Sequence, residues 1–396
     1  MRPPTSPTTP NRPMADPAAA DWGWWRERRL PGGPLHLDTA AAGRSSLATL
    51  AASAAHAERE ATTGAYVAQE EAEPLLAQGR VDLARLLGVP DGGVAFVPSA
   101  QAALDTLLAI WPLREGDAVA VVPCEWGPNL DAFAARGLRI SELPAHGDGA
   151  VDLAALERML AGDTPGGPPA AVHLVQVTSH RGLVQPMAEA AALCRAADVP
   201  LWVDAAQALG HVDTACGADA IYATSRKWLT GPRGVGVLGV AGPWWDRLRI
   251  TAPELEQSIR PPDSSPLWLL DATEANVAAW VGLCTAVAEH LAAGPSRVWA
   301  RLAEVGRQTR EALAGLPGWA VADPVAAPSA IVALRATNGQ DIGKTRAGLL
   351  PGIVTTAAST LRAPRDMTEP LLRVSPHVDC TAEDLDRLRQ ALLALD

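Results

Sequence analysis

Residues 201–239 read LWVDAAQALGHVDTACGADAIYATSRKWLTGPRGVGVLG. Two runs in this stretch, Pro200–Asp204 and Ala220–Thr224, have the length and apolar texture of buried strands. The first ends on an acid, Asp204. The second delivers Ser225, Arg226 and Lys227. In an open α/β sheet the groups that meet a ligand emerge beyond the carboxyl ends of the strands. Only two of the 33 basic residues are lysines, Lys227 and Lys344. Arginine stays protonated, whereas a lysine in dry surroundings can lose its proton and act as a nucleophile. A lysine retained at a strand end therefore points to chemistry rather than to charge.

An acid and a lysine on neighbouring strand ends are the pair that pyridoxal phosphate uses. The lysine binds the aldehyde covalently, and the acid keeps the pyridine nitrogen protonated so that the ring can accept electrons. The wider pattern, V-D-A-A-Q and then T-S-R-K-W-L-T-G-P-R-G-V-G, resembles the class V aminotransferase-like, fold-type I pyridoxal phosphate enzymes. Their usual form is D-x-x-Q, then S-x-H-K and G-P-x-G-x-G. The resemblance implies that Gln207 meets the phenolic oxygen of the cofactor. It places the phosphate-binding hydroxyl on Thr224 or Ser225. Arg226 stands where relatives have histidine, and a guanidinium there suits a phosphate.

Upstream, Val94–Pro98 reads as a buried strand that opens at Ser99-Ala100-Gln101 into a helical run ending at Trp111. Backbone N–H groups and the dipole at such a helix start favour an anion, and the resemblance puts the phosphate cradle at these three residues. The next strand, Ala118–Pro123, leads into Cys124-Glu125-Trp126-Gly-Pro-Asn129. The family has E-H-x-x-N here, with the histidine stacked on the pyridine ring, and an indole at Trp126 can stack equally well. After the strand Pro169–Val177, the residues Thr178-Ser179-His180-Arg181-Gly182 replace the usual H-V-S-N-x-x-G. Ser179 takes the asparagine position, and His180 beside it becomes a candidate substrate contact. Strands alternating with helical runs through residue 240 imply a parallel sheet covered on both faces.

In Leu270-Asp-Ala-Thr273-Glu-Ala-Asn276, the threonine matches the one that reaches the cofactor phosphate of a partner subunit, which implies a homodimer. Leu371-Leu-Arg373-Val-Ser375, followed by Thr381-Ala-Glu-Asp-Leu-Asp386, matches R-x-S and T-x-E-D-L-D. Arg373 is thereby expected to bind the substrate α-carboxylate, for which a planar guanidinium offers two parallel hydrogen bonds. Tyr66, within the helical run Leu47–Leu87, is expected either to reach the pocket or to pack in the core. Leu35–Gly43 resembles the Y-L-D-N-A-A-x-G segment near the active-site mouth.

These readings give an α/β fold of fold type I. A disordered tail (1–20), in which Met14 is a candidate start, precedes an N-terminal arm (21–48) with Trp22, Trp24 and Trp25. A large cofactor-binding domain with a mostly parallel sheet (49–257) follows. A linker helix and a small C-terminal α/β domain (258–396) complete the chain. Its 396 residues suit such a division. The net charge of −11, without a basic block, argues against nucleic acid and acidic membrane partners. No apolar run reaches membrane-spanning length and the first twenty residues lack a secretory core, so a cytoplasmic location is expected. The five scattered cysteines contain no CxxC pair, and the histidines show no HExxH spacing, so no metal site is expected. Gly231-Pro-Arg-Gly-Val-Gly236 precedes a strand instead of following one, unlike a dinucleotide fingerprint. Asn338–Thr345 falls one residue short of a P-loop.

The pocket loops carry no readable substrate code, but one absence discriminates. Cysteine desulfurases of this family need a mobile cysteine shortly before the carboxylate arginine. Residues 354–370 read VTTAASTLRAPRDMTEP. The segments V-T-S-H-R-G-L-V-Q-P (177–186), A-T-S-R-K-W-L (223–229) and E-A-N-V (274–277) resemble lyases of the family that act on sulfoxides of cysteine conjugates. The expected activity is therefore carbon–sulfur bond cleavage in a sulfur-substituted amino acid. Another reaction of the family, or cofactor binding without catalysis, is the alternative.

Overall fold

The computed structural model describes residues 22–260, 264–271, 274–323 and 327–395. The tail 1–20, with Met14, and Thr273 lie outside them. In chain order the strands are β1 (Leu35–His36), β2 (Val94–Val97), β3 (Ala118–Val121), β4 (Arg139–Glu142), β5 (Ala171–Val175), β6 (Leu201–Asp204), β7 (Ala220–Thr224), β8 (Gly236–Val240), β9 (Trp319–Val321), β10 (Val332–Ala336), β11 (Ile353–Val354), β12 (Thr356–Ala358) and β13 (Leu371–Val374).

Seven of them form one sheet in the order β2-β8-β7-β6-β5-β3-β4. Alternate side chains enter two separate cores. Phe96, Ala120, Leu174, Val203, Ile221 and Val237 face one core. Ala95, Val97, Val119, Val121, Trp202, Tyr222 and Leu238 face the other. A sheet covered on both faces explains why its strands read as unbroken apolar runs. Helices Leu47–Thr63, Ala65–Leu87 and Val277–Ala293 pack together over the first face, and Ala100–Ile110 covers the second.

The sheet is mostly parallel, as expected; the exception is β8, which runs antiparallel to both β7 and β2. The reason is local. β7 and β8 are joined by the eleven-residue return 225–235, too short for a helical crossover. The carboxyl end of β7 and the start of β8 therefore lie on one edge, next to the turn after β2. Contact there is close: a Cβ on Gly236 would stand 2.6 Å from the Ala223 oxygen and 2.8 Å from the Ser99 carbonyl carbon.

The C-terminal part is a four-stranded antiparallel sheet, β12-β13-β10-β9. Its core includes Leu334, Leu372, Val374, Leu388 and Leu392. Its last helix, Ala382–Leu393, starts in a capping box of Thr381 and Asp384. The N-terminal arm joins this part directly, since β1 pairs in parallel with β11 and Asp38 bridges to Ser375.

Candidate active site

The strand ends converge on a cavity of about 490 Å³ whose lining includes Ser99, Ala100, Gln101, Trp126, Asn129, Ser179, Asp204, Gln207, Tyr222, Thr224, Arg226, Lys227 and Arg362. Nine of the fourteen residues expected from the sequence to form the site thus line one space, and Arg226 joins them.

Lys227 sits in the return between β7 and β8. Its turn is tied by Thr230 N–H to the Lys227 oxygen and Gly231 N–H to the Ser225 oxygen, each at 3.0 Å. Thr230 adopts a φ of +55°, uncommon for a β-branched residue. The buried Arg29 of the arm donates to its hydroxyl at 3.0 Å. Loss of hydration pushes the Lys227 ammonium pKa down to about 7. Asp204 opposes that shift, while Arg226, Arg373 and Arg362 add to it.

Asp204 ends β6 and is buried. One oxygen accepts from Ala206 N–H at 2.8 Å and the other from the Asn129 amide at 3.0 Å. These two donors fix the orientation of the carboxylate. The Gln207 amide donates to the Ala40 carbonyl at 2.8 Å and accepts from the Trp228 indole at 2.9 Å. Ser99 caps its helix by accepting from Ala102 N–H at 3.0 Å. The choice between the two hydroxyls after β7 resolves geometrically. Thr224 lines the cavity, whereas the Ser225 hydroxyl donates to the Pro232 carbonyl.

Arg226 and Arg362 both line the cavity, and burial lowers the pKa of each. Among the described residues neither guanidinium has a hydrogen-bonding or ion-pair partner; that of Arg362 lies 5.5 Å from the Trp126 ring centroid. With Lys227 they make a cationic space whose one lining carboxylate is Asp204.

Three residues expected in the site stand elsewhere. Arg373 is fully buried behind the cavity wall. It donates to the Ser179 carbonyl at 2.7 Å, to Asp38 at 3.2 Å and to the Thr356 hydroxyl at 3.3 Å, and burial lowers its pKa to about 10. It holds the Ser179 backbone and is not among the residues that line the cavity. His180 is turned to Asp366, 2.7 Å away. Tyr66 is 79% exposed on its helix, neither in this chain's pocket nor in its core. Thr273 is outside the described residues. The sequence reading missed Arg362, although it lies in the stretch read for its lack of cysteine. It also missed Asn129 and Tyr222.

The aminotransferase class-V family model matches residues 36–388. The chain belongs to the aminotransferase class-V family. A probable hercynylcysteine sulfoxide lyase from Mycobacterium tuberculosis (strain CDC 1551 / Oshkosh) is 48% identical over 97% of this chain and 95% of its own. An isopenicillin N epimerase from Streptomyces clavuligerus is 27% identical over 82% of this chain and 85% of its own. Among solved structures, a cysteine desulfurase from Escherichia coli matches with a TM-score of 0.80 at 20% identity, over 97% of this chain and 100% of that one. At that identity the likeness establishes the shared fold.

As a member of this class V family the chain is a pyridoxal phosphate enzyme. The cavity fits that group on its own features. A lysine with a depressed pKa faces an acid held by two donors. The anionic groups of the cofactor would meet a helix start at Ser99–Gln101 and two guanidinium groups that have no partner among the described residues.

Proposed function

We propose that this chain is a pyridoxal phosphate-dependent carbon–sulfur lyase acting on the sulfoxide of a cysteine conjugate, with hercynylcysteine sulfoxide, the substrate in ergothioneine biosynthesis, as its physiological substrate. Elimination expels the sulfur fragment as a sulfenic acid, and the three-carbon remainder takes up water to give pyruvate and ammonia. The observation that carries this reading is a cavity with Lys227 opposite Asp204 and without a cysteine in its lining. The 48% identical relative supports it.

When bound, pyridoxal phosphate supplies the ring that takes up the electrons released at the substrate Cα. Asp204 holds the pyridine proton. Lys227 Nζ would hold the cofactor and, once free, would take the Cα proton, a task suited to an amine whose pKa lies near neutrality. Thr224 and the N–H groups at Ser99–Gln101 hold the phosphate, joined by Arg226. The remaining N–H of Gln207 would be free to donate to the cofactor, and Trp126 would offer its ring for stacking. Arg362, unpaired and at the cavity wall, receives a substrate carboxylate. Arg373 acts on that contact indirectly, through the Ser179 backbone. The working unit is a homodimer.

The deciding experiment incubates the purified holoenzyme with hercynylcysteine sulfoxide and couples the products to lactate dehydrogenase. Pyruvate and ammonia should form in step with the sulfur fragment. Alanine as the main product would indicate desulfuration. Racemised substrate would indicate an epimerase, and no turnover a binding protein. Each of these would overturn the lyase reading.

A further inference from the structure

Beside the cavity, with Tyr222 in its lining, lies a set of buried polar groups to which the proposed chemistry assigns no part. Glu125, His173 and Tyr222 have essentially no exposed surface. One Glu125 oxygen takes the His173 Nδ1 hydrogen at 2.8 Å. The other accepts both the Trp126 backbone N–H at 2.9 Å and the Asn129 amide at 2.8 Å. The same Asn129 nitrogen reaches Asp204 at 3.0 Å. On the far side, His173 Nε2 stands 2.9 Å from the Tyr222 hydroxyl, and the Phe133 ring packs edge-on to the imidazole at 5.1 Å.

Each link has a consequence. Glu125 is the one carboxylate that grips both the backbone of Trp126, at the ring face, and the amide that orients Asp204, at the ring nitrogen. A carboxylate has two oxygens, and here three donors share them. The His173 hydrogen fixes which oxygen is left for Trp126 and Asn129. Without that donor one oxygen of the buried carboxylate is left unmatched, which is costly and frees the group to rotate. His173 is itself fixed by Tyr222 on its other nitrogen. Burial raises the tyrosine pKa, so its hydroxyl keeps its proton.

We infer that His173, acting through Glu125, is a positioning residue that sets Trp126 and Asp204 around the cofactor ring at once. The inference rests on the assignment of pyridoxal phosphate to this cavity. His173 touches neither cofactor nor substrate. Its signal is therefore the grip on the ring, read apart from turnover.

The test compares His173→Asn with His173→Leu in the cofactor-loaded protein. Asparagine keeps a donor near the Nδ1 position, whereas leucine has similar bulk and no donor. Visible circular dichroism reports how the bound ring is held, and dilution reports the rate of cofactor loss. In His173→Leu the visible signal should fall and cofactor should leave roughly tenfold faster, the size expected when a buried acceptor loses its donor. His173→Asn should stay within about twofold of wild type, since it restores that donor. A merely structural role would harm both variants alike, and such parity, or two variants like wild type, overturns the inference. Should His173→Leu fail to fold, Glu125→Gln carries the comparison. Its single acceptor oxygen cannot serve His173 and Asn129 together, and an unchanged ring signal there overturns the inference equally. Wild-type protein that binds no pyridoxal phosphate would sink the cofactor assignment itself, a result distinct from equal behaviour of the two loaded variants.

Discussion

Lys227 owes its chemistry to a pKa pushed down to about 7 by loss of hydration, and the same shift has a thermodynamic sign. Between about 7 and the ordinary lysine value, the unfolded chain holds a proton that the folded, cofactor-free chain lacks. Stability contributed at this site therefore rises with pH across that window, by up to ~1.4 kcal/mol per unit, and is flat below it. The unfolding free energy of cofactor-free wild type minus that of Lys227→Met, measured in urea from pH 7 to 10, should climb with pH. A flat difference would show that Lys227 stays protonated. Single residues of this kind were legible in the sequence because their signal is local: Asp204 and Gln207 lie three apart, and Lys227 follows one strand later. Arg362 was not legible. Its significance comes from the Trp126 ring it lies over, far away in the chain, and from its having no hydrogen-bonding or ion-pair partner among the described residues. Arg373 was legible as a motif but not as a geometry, because the groups that its two terminal nitrogens meet include Asp38 and the Ser179 oxygen, from two other parts of the chain.

At the scale of elements, the alternation of strand and helix predicted the sheet. The expectation of a mostly parallel sheet did not say which strand reverses; that it is β8 follows from the length of the return 225–235. The element that brings Arg362 to the cavity is the short helical turn Thr360–Arg362. It rests on the start of the helix Gly127–Ala135, and a Cβ on Gly127 would stand 2.2 Å from the Leu361 oxygen. Neither partner in that contact is a flexible side-chain end, so Gly127→Ala must displace the turn. Arg362 would then leave its place over Trp126. Gly127→Ala and Arg362→Gln should both raise KM roughly 10- to 100-fold, a range typical of misplaced substrate-positioning groups. The visible spectrum of the bound cofactor should stay as in wild type. An unchanged KM in Gly127→Ala would remove the turn from the pocket wall.

For the whole molecule, the distribution of thiols bears on the reaction class. A persulfide-forming enzyme needs a reactive cysteine that reaches the substrate sulfur. Here Cys124, Cys194, Cys284 and Cys380 are buried and Cys216 is half-buried. None of the five lines the Lys227 cavity. Burial pushes the thiols of Cys124, Cys194, Cys284 and Cys380 up to about 12, so they carry almost no thiolate at neutral pH. Cys124, two residues before Trp126, receives a hydrogen bond from the Gln185 amide at 3.3 Å, a core contact. These cysteines behave as small apolar side chains. Replacing all five with alanine should lower the melting temperature, because each buried substitution leaves a void, but kcat for pyruvate release should stay within about threefold of wild type, since no thiol takes part in the elimination. If the fivefold variant does not fold, the five single alanine variants make the same comparison one thiol at a time. Loss of pyruvate release in any folded variant, with cofactor still bound, would identify a working cysteine and overturn the thiol-free elimination.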